Sequence, residues 1–210
     1  MLYPTEKKAF QKNNFSNAKK YFFASAFLII LASCGNSDDS LPLPKPKGYF
    51  RIALPQKNYV IYNAVCPFSF DYPTYAKVVP DTRPDAQPCW LNVEFPQFHG
   101  SIHLTYKHVD GNLKDYLEQS RTLAIKHEIK ASAITEQVIV NDSNKVYGLV
   151  YDIEGNAASP MQFYLTDSVS NFIRGSLYFE AVPNSDSIAP VVGFIKQDIQ
   201  KMIDSFRWRK

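Results

Sequence analysis

Cys34 has the most specific setting of any reactive side chain in this 210-residue chain. It closes the tetrad Leu31-Ala32-Ser33-Cys34 at the end of YFFASAFLIILASC, residues 21–34, behind Lys19-Lys20. A basic flank, a short apolar run, a branched residue and two small residues before a cysteine form a lipobox. The thiol takes a diacylglycerol, a peptidase cuts before it, and the mature protein begins at Cys34. The competing reading is an uncleaved transmembrane anchor, but the run is shorter than the about 20 residues that a hydrocarbon core requires.

Two more cysteines follow, Cys66 and Cys89. An exported protein sits where disulfides persist. Closing a loop of about 24 residues contributes roughly 3 kcal/mol through the entropy of the unfolded chain. A bridge is favoured over two buried free thiols or one reactive thiol. No CxxC or helical HxxxH pair accompanies them, so a structural metal is not expected.

His99, His103 and His108 lie close in sequence. On one strand His99 and His103 would share a face, and Glu94 could add a third ligand. That spacing permits a metal without demanding one; ordinary hydrogen-bonded histidines are the simpler reading. Asp167, Ser168 and Asn171, with Arg174-Gly175 beside them, are expected in a turn between two strands. They read either as a polar recognition loop built on the Arg174 fork or as a hairpin satisfying its own groups. No Gly-x-Gly-x-x-Gly, phosphate loop, Gly-x-Ser-x-Gly or His-Glu-x-x-His occurs. No catalytic residue is assigned, and no enzymatic activity or cofactor is expected.

The charge balance gives no support for nucleic acid or an anionic lipid surface as partner. Residues 1–33 hold five lysines and one glutamate, so the remaining 177 residues carry 18 basic and 19 acidic side chains. The basic overall pI belongs to the leader, and nothing argues for nucleic acid.

These residues need elements to hold them. Residues 1–33 read as signal peptide and 34–47 as a tether, with prolines at 42, 44 and 46 favouring polyproline II and a reach of up to about 40 Å. Asp38-Asp39 is either a sorting signal or solvated linker. Residues 48–210 read as one globular domain. Strands are expected at 49–52, 59–62, 68–72, 90–95, 102–106, 134–140, 146–153, 162–166 and 172–179, from runs of aromatic and β-branched residues with turn residues between them. Pro80 to Asp85 reads as a loop. A helix is expected from Asn112 as N-cap, with Leu113, Tyr116, Leu117, Leu123, Ala124 and His127 on one stripe. A second runs along Ile188, Val191, Val192, Ile195, Ile199, Met202, Ile203 and Phe206. Pro190 fits its first turn, residues 184–187 supply the cap, and Asp198, Lys201 and Asp204 lie outside the stripe.

The chain is rich in aromatics, with 15 Phe, 13 Tyr and 2 Trp. Most suit strand packing. Tyr59, Tyr62, Tyr72 and Tyr75 are expected outside the core, where tyrosines contact proteins or sugars. The order of elements gives an α+β fold, a mainly antiparallel sheet covered by two amphipathic helices, with the character of a Mog1/PsbP-like α-β-α sandwich.

Several segments taken together resemble one family. They are PKPKGYFRI from Pro44, CPFSFDYP from Cys66, CWLNVEFP from Cys89, GNAASPMQFYLTDS from Gly155, FIRGSLYF from Phe172 and PNSDSIAPVVGFIKQDI from Pro183. As a set they resemble the gliding-motility lipoprotein GldD family over essentially the whole mature chain. The resemblance implies an envelope lipoprotein, acyl-anchored at Cys34, supporting gliding motility and type IX secretion by assembling or stabilising that machinery. Its partners would be envelope proteins of the apparatus, and the outer membrane is preferred to the inner. Two other classes compete: a peptidoglycan-binding module using exposed aromatics and the 167–175 segment, and a metal-dependent hydrolase at His99/His103.

Overall fold

The computed structural model describes residues 52–180 and 185–209. The leader, the tether, the strand expected from residue 49 and the cap expected at Asn184 fall wholly or mainly outside them. Ile52, the one described residue of that expected strand, is not in a strand.

Ten strands form. β1 (Tyr59–Tyr62) and β2 (Phe68–Pro73) pair antiparallel, and the short C-terminal β10 (Arg207–Trp208) adds to the other side of β2. The larger sheet has seven strands, β3 (Lys77–Pro80), β4 (Leu91–Phe95), β5 (Gly100–His108), β6 (Ala131–Asn141), β7 (Val146–Gly155), β8 (Met161–Thr166) and β9 (Asn171–Phe179). Their spatial order is β3-β4-β5-β9-β8-β7-β6, and every pairing is antiparallel. Two α-helices lie among the described residues, α1 (Leu113–Ile125) and α2 (Ser185–Ser205). The α+β architecture, with an antiparallel sheet and two amphipathic helices, is the one expected from the sequence.

Period-two alternation decides which face each helix covers. On one face of the large sheet Leu91, Val93, Phe95, Ile102, Leu104, Val150, Phe163, Leu165, Ile173 and Leu177 are buried. Ile195, Ile199, Met202 and Ile203 of α2, with Phe68 and Phe70 of β2 and Phe206, complete that core. Phe68, Phe70 and Phe206 stack with centroids 5.8–6.5 Å apart. A smaller core forms on the opposite face, where Ala124 of α1 meets Tyr151, Ile153 and Ala157. Tyr116 of α1 packs on Phe172 at 5.4 Å.

Four local expectations change. β3 was missed because Pro80 suggested a loop; Pro80 instead ends an edge strand, where its missing N–H costs no ladder bond. Asn112 precedes α1 but makes no side-chain cap: its Oδ1 accepts from the Asp110 backbone and its Nδ2 donates to the Tyr116 hydroxyl. Pro190 lies inside α2, since the polar run before Ile188 is already helical from Ser185. Asp198, expected outside the apolar stripe, is 1% exposed.

That burial has a structural reason. The Asp198 carboxylate accepts from Lys57 Nζ at 2.6 Å and the Tyr59 hydroxyl at 2.8 Å, and also from the Tyr75 hydroxyl. Lys57 Nζ also donates to the Phe194 carbonyl and lies 3.9 Å from that ring's centroid. A buried carboxylate is tolerable only when its lone pairs are met in this way. Tyr59 and Tyr75 thus clasp β1 and the turn after β2 to α2. Tyr62 stacks on Phe70 at 5.0 Å, so these tyrosines join the core's edge instead of standing clear of it.

Candidate functional site

Cys66 and Cys89 form a disulfide with Cα atoms 5.6 Å apart. It ties the start of β2 to the start of β4, linking the two sheets. Cys89 has a left-handed backbone, φ 63°.

Part of the large sheet's second face is not covered by α1 and is polar. Register places Asn92, His103, Ser176 and Gln162 side by side across β4, β5, β9 and β8, with Tyr151 of β7 next in line. Directly paired residues share a face, so four strands build one polar row, which ends at Tyr151 in the small core beside α1. Thr105 and Arg174 form the next row and Ser101 with Tyr178 the one on the other side.

His103 is held at both ring nitrogens. Asn92 Oδ1 lies 2.7 Å from Nδ1, so Nδ1 carries the proton, and Nε2 takes the Ser101 hydroxyl at 3.2 Å. Burial pushes the imidazole below its ordinary range, Arg83 pushes the same way, and Asp81 opposes. It is neutral. Arg83 itself is paired with Asp81 at 2.5 Å, and its hydrogen bonds hold the Asp81 carboxyl low.

Arg174 is different. Its guanidinium donates to Gln162 Oε1 at 2.5 Å and lines the same cavity as Tyr178, but among the described residues no carboxylate pairs with it. Burial works against its charge. Beside it, the Ser176 hydroxyl and the Gln162 amide nitrogen are buried, with no hydrogen-bond partner among the described residues. Arg83, His103, Thr105, Arg174, Ser176 and Tyr178 line an open cavity of about 310 Å³. A second cavity of about 560 Å³ adjoins it through His103 and Tyr178 and is lined in part by Asn92, Glu94, His99 and Glu180.

The structure separates the residues grouped at 167–174. Asp167 closes its own hairpin: Oδ1 accepts from the backbones of Val169, Ser170 and Asn171, each at 2.9 Å, and Oδ2 takes Asn171 Nδ2 at 2.6 Å. Burial opposes ionisation there, yet the bonds from Asn171, Val169 and Ser170 hold the carboxyl below its usual range. Ser168 turns the corner with φ 65°, its N–H bonded to Thr166. Arg174-Gly175 is not in that turn but inside β9, where Arg174 pairs with Thr105 and Tyr164.

The histidines do not converge either. His99 is no strand residue: it follows a short helical turn with φ 47° and pairs, exposed, with Glu180 at 3.7 Å. His108 ends β5 opposite Asn171. Among the described residues, no three His, Cys, Asp or Glu side chains could hold a metal. Cys34 lies outside the described residues.

Sequence reasoning missed Arg83, Asn92, Gln162, Ser176 and Tyr178. The signal was available in Arg174-x-Ser176-x-Tyr178 facing His103-x-Thr105: polar residues at period two on paired strands, where one face should be apolar if it were covered.

A family profile described as gliding motility lipoprotein GldD matches residues 39–208. The chain belongs to that family. Membership ties it to gliding motility and to lipid-anchored proteins of the cell envelope. No curated protein sequence matches the chain. Among solved structures, the solution structure of cyanobacterial PsbP (CyanoP) from Synechocystis sp. PCC 6803 is similar at 11% identity and a TM-score of 0.44, covering 76% of this chain and 97% of that one.

Proposed function

We propose that the protein is a non-enzymatic envelope lipoprotein that supports gliding motility and type IX secretion by holding proteins of that apparatus together. Family membership over residues 39–208 is the observation that carries this reading. Acylation at Cys34 would confine the domain to a membrane surface, and confinement strengthens modest contacts by raising effective concentration. The outer membrane is the proposed location.

The domain has a surface suited to the task. β6 is an edge strand of the seven-stranded sheet, eleven residues long, with Val138 70% and Val140 66% exposed. A long edge with free backbone groups accepts a partner strand. In this account the strand belongs to another envelope protein of the apparatus.

Genetic replacement tests the reading. A Cys34→Ala chain should lose lipid labelling and membrane retention, and cells carrying it should lose both colony spreading and protein export. Unlabelled protein that stays in the membrane and restores both would contradict the anchored scaffold. An intact Cys34 protein whose deletion leaves export unchanged would remove secretion from the account.

A further inference from the structure

We propose that the cavity over Arg174 is a binding site for a single carboxylate group, held by the guanidinium fork and the Ser176 hydroxyl. This inference is independent of the scaffold reading, since the cavity lies on β5 and β9 and not on the β6 edge.

Three observations converge. First, the charge is open: Arg83 is neutralised by Asp81, His103 is bonded as the neutral ring, and Arg174 has no acidic partner among the described residues. One uncompensated positive charge matches a monoanion and not a dianionic phosphate. Second, Ser176 is among the residues lining the cavity, is 1% exposed, and its buried hydroxyl has no hydrogen-bond partner among the described residues. A buried hydroxyl with no acceptor is left unsatisfied in the free protein, and a bound carboxylate would satisfy it. Third, the shape fits. Arg174 and Ser176 are two apart on β9 and point to the same face, about 7 Å apart along the strand, and a planar fork pairs with a planar carboxylate. The cavity of about 310 Å³ holds the acid, and the adjoining polar cavity of about 560 Å³ leaves room for the rest of the molecule.

A carboxylate of this kind comes from a peptide chain end or from an acidic sugar. The test uses the full-length lipoprotein in detergent micelles with ¹⁵N-labelled arginine, following the Arg174 Nε–Hε signal. N-acetylalanine is titrated against its amide, and glucuronate against glucose, with inorganic phosphate as a further probe. At least one acid should shift Arg174 saturably while its neutral counterpart does not; the stronger acid identifies the source. Arg174→Lys keeps the charge but loses the fork and should weaken binding about tenfold. Ser176→Ala should weaken it about tenfold while leaving the Tm of the free protein level or higher, because it removes a buried hydroxyl that has no partner to lose. Neutral probes binding as well as acids, phosphate binding more tightly than either acid, or full affinity in Ser176→Ala would each overturn the site.

Discussion

Asp198 shows how a residue's neighbours override its place in a pattern. In a helix wheel it stands off the apolar stripe, yet Lys57, Tyr59 and Tyr75 reach it from segments more than 100 positions away in the chain. Replacing it with Ala removes three hydrogen bonds and strands a cation that is 23% exposed. Asp198→Ala should therefore cost about 3 kcal/mol in urea unfolding; a loss under about 1 kcal/mol, the level of an exposed pair, would show the clasp to be ornamental.

The histidines set a pH dependence at the same scale. Burial holds His103 and His127 below the ordinary imidazole range, helped by Arg83 at His103 and by Arg174 at His127. The unfolded chain, with imidazoles near about 6.5, then binds more protons than the folded one. Stability from these groups is complete above that value and is lost as the pH falls through it towards the folded values. Asp81 and Asp167, held low, titrate only in more acidic solution and leave this window clear. Tm should fall between pH 7.5 and pH 5.5, and His103→Gln should flatten the slope. An equal Tm at both values would contradict the assignment.

Elements, more than residues, were legible in advance. β2 and β9 announce themselves by alternation, and α2 by a long apolar stripe. What failed was set by distant partners. β3 forms where Val78-Val79 can pair with β4; the prolines that follow signal a loop and mask that short run. Arg174-Gly175 resembles a turn locally, but Gly175 serves β9: a Cβ there would stand 2.2 Å from the Phe163 ring. Gly175→Ala should destabilise by about 1–3 kcal/mol as overpacking, read from the shift of the urea midpoint; a stabilised variant would mean the ring has space to move. The polar face went unread for a related reason. Alternation shows which residues share a face, but not that α1 leaves part of that face open.

The disulfide acts at this scale too, since it staples two elements of different sheets. Cys66→Ser with Cys89→Ser should cost about 3 kcal/mol relative to the oxidised protein. Mass spectrometry of the unreduced protein should recover the linked peptide, while two freely alkylated thiols would remove the bridge.

At the scale of the whole molecule, a 7-stranded sheet carries a buried core under α2, a smaller one under α1, a polar face beside α1 and an exposed β6 edge. Family membership connects this body to gliding motility; the proposed anchor at Cys34 would keep it at a membrane. Such a protein works by contact, so its partners decide the account. The most direct measurement is in-cell cross-linking of the native lipoprotein, affinity capture under denaturing conditions and identification of the linked peptides. The account predicts links from β6 to envelope proteins of the motility and secretion apparatus, abolished by Val138→Lys with Val140→Lys. Recovery of the protein alone from cells that glide and secrete would contradict it.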